Sequence, residues 1–291
     1  MAGPDGRLRE EDRVFLHEFI LRTCIAHPAA AVALYRASQD PEELAVAVES
    51  LMRSAEPDFA RQIARASNTT ATLRAQITAQ LVAQLARAIE DCGALGDAIR
   101  FRHKGGLFRR YLSSRNDKVS EFLTSARGNA ALPELLAIPA LDDVPHEVRA
   151  SLGPYYESLP TALRALGDIH SAEGVPKPGG VSPGDPGFED GVVTIVTAVV
   201  SRSEDGQFHI PIATIADAYN KLKHRFAVVE DIRSLVQAVQ GEGDSLVYAA
   251  YPTSVAFVER LVTGTVRVAQ TSRLMAQLVL KLDEVGALTS P

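Results

Sequence analysis

The chain has 291 residues, 46% of them hydrophobic and 23% charged, with 30 Lys and Arg against 36 Asp and Glu for a net charge of −6. That is globular composition, enough for one large domain or two small ones, and its acidic balance excludes broad charge-driven nucleic-acid binding, so any RNA contact must be focal. No apolar run approaches the roughly 20 residues that span a bilayer, and the opening MAGPDGRLREEDR is polar, so the expectation is a cytoplasmic protein with no membrane contact.

In chain order, Leu8 to about Ser38 carries Val14, Phe15, Phe19, Leu21 and Ile25 near helical spacing. Cys24 lies in this segment, far from Cys92 and outside any C-x-x-C pair, which predicts two small buried apolar side chains rather than a disulfide or a metal site. Asp40-Pro41-Glu42-Glu43 then offers an N-cap, a proline at the first helical position and a reciprocal Glu, predicting a second helix start. From Thr69 the apolar residues Leu73, Ile77, Leu81, Leu85 and Ile89 recur every fourth position, a stripe of more than four helical turns. At its end Glu90-Asp91 suggests a carboxylate pair, but Arg87 stands four residues before Asp91, which predicts an exposed ion pair instead.

Past Gly93 and Gly96 comes a basic cluster of Arg100, Arg102, His103, Lys104, Arg109, Arg110 and Arg115. Around Gly105-Gly106, where the backbone permits close approach, these residues can bind phosphate; ordinary solvated arginines are the alternative. A further helix is expected near Asp117 to Ala126. Prolines recur between Leu132 and Leu152, and an amphipathic segment covers Tyr155 to Ala172. Residues 174 to 191, GVPKPGGVSPGDPGFEDG, are too rich in Gly and Pro to pack as a helix or strand and read as a flexible loop. Beyond it Val192 to Val200 is β-branched, SRSEDGQ separates it from Phe208 to Ile210 as in a hairpin, and Ser245 to Tyr251 offers another strand. Leu274, Leu278 and Leu282 mark a long final helix from about Thr253, although Val262 to Val268 is β-branched enough to weaken its middle.

The expected fold is therefore mainly α, a helical bundle with a small antiparallel β element in the C-terminal half. A helical region over 1–173, a linker over 174–191, and a hairpin with helices over 192–291 are expected to pack as one unit.

Ile212, Ile215, Tyr219, Leu222 and Phe226 alternate steps of three and four, predicting a helix with those five side chains on its buried face. Asp217, Asn220, Lys221 and His224 then share the opposite side. An acid, an amide, a cation and an imidazole that titrates near neutral pH can position a phosphodiester and move a proton. Polar groups opposite an apolar stripe are equally what a surface helix has.

The string Tyr219-Asn220-Lys221-Leu222-Lys223-His224 resembles a degenerate form of the R-N-x-x-x-H motif of the HEPN superfamily, helical proteins that include metal-independent ribonucleases of toxin, antiphage and RNA-surveillance systems. Asn220 and His224 fall on the motif's Asn and His, while Tyr219 stands where the family has Arg. The resemblance implies a homodimer with RNA bound between protomers, His224 as acid or base at a ribose 2′-hydroxyl, Asn220 orienting phosphate or imidazole, and no cofactor or metal. Tyr219, Lys221, Lys223 and Arg115 are the accompanying candidates for substrate contact. A phenol cannot replace the guanidinium that stabilises a phosphoryl transition state, and binding without cleavage fits that departure. If the chain is active, the resemblance implies an endoribonuclease. A noncatalytic helical module that recognises a protein partner is the alternative, with loop 174–191 ordering on contact. No P-loop, H-E-x-x-H zincin spacing or G-x-S-x-G elbow is present.

Overall fold

A computed structural model of the chain describes residues 7–39, 70–128, 130–171, 195–202, 208–209, 212–214, 228–229, 248–250 and 255–288. The protein is mainly α. Its helices are α1 (Glu10–Phe19), α2 (His27–Gln39), α3 (Thr70–Arg100), α4 (Leu107–Leu112), α5 (Asn116–Arg127), α6 (Leu132–Leu136), α7 (His146–Ser171) and α8 (Val255–Glu284). By their internal contacts the residues fall into two compact units, one of 1–28, 87–173 and 265–291, the other of 29–86 and 174–264.

In the first unit, α1 buries Asp12, Leu16 and Phe19 and runs without a break into a π-helical segment, Ile20–Ala26. The next buried side chain is Cys24, five residues after Phe19, a step that suits the i to i+5 spacing of a π turn. Pro28 contributes the cause: it has no N–H for the carbonyl of Cys24, and its ring crowds that carbonyl.

The end of α3 is enclosed on all sides, with Leu95, Gly96, Asp97, Ala98 and Ile99 consecutively buried. Gly93 and Gly96 do not interrupt it. They let α5 approach: a Cβ on Gly96 would lie 2.1 Å from the Phe122 ring, and one on Gly93 would lie 2.7 Å from Val119. On its other side α5 packs along α7, where a Cβ on Gly167 would meet the Leu123 carbonyl at 2.6 Å. The expected helix near Asp117 to Ala126 is thus present as α5. The expected amphipathic segment from Tyr155 starts earlier, at His146, and α7 continues through Pro154 and Pro160.

The last helix keeps its geometry through the β-branched stretch. Thr271 and Ser272 turn their hydroxyls onto the carbonyls of Arg267 and Val268, both at 3.0 Å, so these buried polar groups are satisfied within α8. Near its end Asp283, buried, accepts 2.7 Å hydrogen bonds from the Leu8 backbone N–H and from Nε of Arg13.

In the second unit, Ile77, Leu81 and Leu85 of the four-residue stripe are buried, as are Val258 and Leu261 of α8 and Ala31 of α2. The Tyr35 hydroxyl donates to Glu259 at 2.7 Å. The described backbone here also traces β1 (Ile195–Arg202), β2 (Phe208–His209), β3 (Ile212–Thr214), β4 (Val228–Val229) and β5 (Tyr248–Ala250). β1 pairs antiparallel with β2, β3 and β5, and β4 pairs parallel with β5. The helix expected from Ile212 is corrected at its start, since Ile212–Thr214 is extended and pairs with β1; two of these three residues are β-branched. The remainder of that expected helix, the helix start at Asp40 and the loop 174–191 lie outside the described residues.

Candidate interaction surfaces

Tyr219, Asn220, Lys221, Lys223 and His224 lie outside the described residues. Arg115 is described. It is exposed and holds Asp117 in a two-pronged ion pair, Nε and Nη2 donating at 3.0 and 2.8 Å. Beside it Lys118 donates to Glu121 at 2.7 Å.

The first unit carries two notable surface features. One, not foreseen from the sequence, is an apolar cleft of about 670 Å³ lined by Val14, Phe15 and Phe19 of α1 with Phe108 and Tyr111 of α4, and rimmed by Glu11, Glu18 and Arg22. Its floor is a ring cluster. Phe15 lies 5.7 Å from Phe19, 5.3 Å from Phe108 and 4.9 Å from Tyr111, and Phe19 meets Tyr111 edge-on at 5.6 Å, spacings at which aromatic rings attract. Val14, at the cleft, and Leu21 and Ile25, further along the same helical run, are about half exposed, at 52%, 58% and 49%. On the rim Glu18 accepts from Arg22 at 2.6 Å and Glu11 from Arg9 at 3.1 Å. The sequence did carry a signal: Phe15, Phe19, Phe108 and Tyr111 are four of only 17 Phe and Tyr in the chain.

Beneath the cleft the Tyr111 hydroxyl donates to Oδ1 of Asp91 at 2.8 Å. Asp91 is half-buried rather than exposed, and the Arg87 charge acts on it as well. Burial raises the Asp91 carboxyl above the usual carboxylate range, while the Tyr111 hydrogen bond and the charges of His27 and Arg87 oppose that rise. Burial also pushes the Tyr111 phenol up, and the Asp91 charge adds to it. Cys24 and Cys92 are buried and free, and burial pushes each thiol up to about 12, so neither is a reactive nucleophile.

The second feature is the basic cluster. Residues 98–116 contain Arg100, Arg102, Lys104, Arg109, Arg110 and Arg115 and no Asp or Glu. Three of these cations collect on one ring: the charged ends of Arg100, Arg110 and Lys104 lie 5.3, 5.1 and 4.8 Å from the Phe101 centroid, respectively. The π face attracts each of them. Arg110 is further held by the buried Asp97, with Nε donating to Oδ2 at 3.0 Å. Arg102 turns inward and donates to the carbonyls of Ile99 and Leu136, and burial lowers its guanidinium to about 10. Burial, then the charges of Lys104 and Arg102, lowers the His103 imidazole, which favours its neutral form.

The turn that gathers these residues is fixed from below. Gly105 and Gly106 have φ of 127° and 97°, values that L side chains rarely adopt, and Oδ1 of the buried Asp12 accepts from the Phe108 N–H at 2.8 Å. Gly106 also lies under Asp12, whose carboxylate oxygens would be 3.4 Å from a Cβ there. Among the described residues no group of three or more His, Cys, Asp or Glu is placed to hold a metal ion, and no helix is long and apolar enough to cross a membrane. Comparison with family models, with curated proteins and with solved structures finds no match.

Proposed function

We propose that the first unit is a noncatalytic helical interaction module, and the observation that carries this reading is the aromatic-floored cleft between α1 and α4. Its volume suits one or two bulky side chains, within the usual range of roughly 300–1,000 Å³ for binding pockets. The half-exposed Val14 at its edge extends the apolar surface outward. The occupant that fits is an amphipathic helix of a protein partner, with its apolar side chains on the Phe15 and Tyr111 rings and a basic side chain beside Glu11 and Glu18. We also infer an antiparallel β element in the C-terminal half, within the second unit.

A photocrosslinking amino acid at Val14 tests this, with the exposed Leu112, which does not line the cleft, as control. The expected result is a discrete protein adduct at position 14 that is absent at 112 and is lost when Phe108 is changed to Glu. Equal labelling at both positions, or none, overturns the reading.

A second reading belongs to the segment around His224. The spacing of Asn220 and His224, four residues apart as in R-N-x-x-x-H, supports a HEPN-like protein that binds or cleaves RNA as a homodimer, in a toxin or antiphage setting. Its test is RNA cleavage by the purified chain without metal. Cleavage that His224→Ala abolishes and Tyr219→Arg raises supports the ribonuclease form; equal activity in wild type and His224→Ala eliminates it.

A further inference from the structure

We propose that the Arg100–Lys104–Arg110 cluster around Phe101 is a phosphate-binding surface that takes the backbone of a single-stranded RNA. The choice of RNA rests on the HEPN-like reading; the phosphate chemistry does not.

The charge balance is the first argument. The chain as a whole is acidic, at −6, yet residues 98–116 carry no carboxylate at all. The nearby acidic groups are Asp12, Asp97, Asp117 and Glu121; Asp12 is buried and accepts from the Phe108 N–H, and the other three each have a cation, Arg110, Arg115 and Lys118 respectively. Arg100 also acts on Glu121, and Asp97 on Lys118, at charge distance. Leaving out the inward-turned Arg102, five cations (Arg100, Lys104, Arg110, Arg115 and Lys118) stand against four carboxylates, of which Asp12 is buried. Among the described residues, neither Arg100 nor Lys104 is in an ion pair, and Lys104 is exposed. A surplus of positive charge is left uncompensated at one point on an acidic protein.

The second argument is organisation. Like charges held about one ring repel unless something neutralises them, and the Phe101 quadrupole and Asp97 offset that repulsion only in part. A phosphate supplies the rest, and guanidinium and ammonium groups already collected on a fixed ring lose little further freedom when it arrives. The turn beneath them is set by the positive φ values of Gly105 and Gly106 and by the Asp12 hydrogen bond to Phe108.

The third argument selects the form of the ligand. An extended anionic membrane faces much of a protein's charge at once, and a net −6 opposes that approach. A single strand touches only the cluster, because charges more than about 8 Å away are screened at physiological salt. The cations also sit on a helix end, a short turn and the six-residue α4, rather than along the continuous amphipathic helix that lies in a membrane surface.

The experiment is fluorescence anisotropy of a labelled mixed-sequence RNA, about 12 nucleotides long, with the full chain at roughly 50 and 200 mM salt. Arg100→Gln/Lys104→Gln, Lys104→Glu alone and the control Arg164→Gln, exposed on α7 and outside both surfaces, are compared with wild type. The expected result is at least a tenfold loss of affinity in the double variant and a smaller loss in Lys104→Glu. Arg164→Gln should bind as wild type does, and the slope of log affinity against log salt in the double variant should be shallower by roughly 0.7 for each phosphate that it no longer neutralises. RNA binding that the cluster variants leave unchanged overturns the proposal, as does no RNA binding by wild type. Sedimentation with phosphatidylserine vesicles in place of binding to RNA overturns it too. Cleavage tests the HEPN-like reading separately. Loss of cleavage in His224→Ala with cluster variants still binding normally removes this surface alone. Binding through the cluster with no cleavage in any variant removes the ribonuclease reading alone.

Discussion

The phenol of Tyr111 and the carboxyl of Asp91 form a 2.8 Å hydrogen bond under the floor of the cleft, and each depends on the other. Tyr111 puts its ring among Phe15 and Phe19 while its hydroxyl supplies a donor to a carboxyl that burial disfavours as an anion. Tyr111→Phe keeps the ring and removes the donor. It is expected to cost about 1–3 kcal/mol, the usual range for losing a hydrogen bond to a part-buried carboxyl. Denaturant titration of Tyr111→Phe, Asp91→Asn and the double variant checks this, and the double variant should lose less than the sum of the singles.

Asp91 also sets a pH dependence. Its folded carboxyl lies above the unfolded one because of burial, so the folded state holds the proton more tightly. The stability this confers is fully present below the unfolded value of about 3.9 and is lost as pH rises through the folded value. Asp91→Asn removes that titration while keeping an acceptor for Tyr111. Relative to wild type, the variant is therefore expected to become more stable as pH is raised from about 4 to 7. A constant difference across this range would show that Asp91 does not titrate in this way.

Gly96 faces the buried Phe122 ring so closely that a methyl group has no room. Gly96→Ala must displace either the ring or α5, at an expected cost of about 1–3 kcal/mol, despite alanine's better helix propensity. Phe122→Leu in the same background should recover part of the loss. Thermal melts of the two single variants and the double read this out, and a stabilised Gly96→Ala would contradict this packing.

Asp283 ties the start of the chain to the last helix through the Leu8 N–H and the Arg13 side chain. Asp283→Ala leaves the Leu8 N–H buried without its acceptor, for an expected loss of about 1–3 kcal/mol. Hydrogen exchange is the sharper measurement: the Leu8 amide should exchange much faster in Asp283→Ala. Unchanged protection would mean that the bond does not hold this end.

Residues whose role follows from local periodicity were legible in the sequence. Ile77, Leu81, Leu85 and Ile89 repeat at one helical interval and are all buried. What escaped depends on distant chain segments. The role of Gly93 and Gly96 could not be read, because nothing nearby in the chain reveals the Val119 and Phe122 side chains that lie against them. The second partner of Asp91, Tyr111, stands twenty residues away and is invisible to the four-residue rule that pairs Asp91 with Arg87. The cleft was hidden for the same reason: Phe15 and Phe19 belonged to one apolar stripe, while Phe108 and Tyr111 stood inside a run conspicuous for its arginines. That run is visible in the sequence as a cluster, but its gathering on Phe101 needs three-dimensional placement.

Between Phe19 and Cys24 the interior-facing positions are kept in phase by one surplus residue, accommodated by the wide turn of Ile20–Ala26. Excising the exposed Leu21 would turn that step of five into the step of four of an ordinary α-helix and leave the Cys24 thiol pointing inward. The same excision in the enclosed end of α3 would rotate everything beyond it by about 100° and unseat the interior. Length variation in this protein should therefore be tolerated in the midst of a helix, at a place where most proteins forbid it.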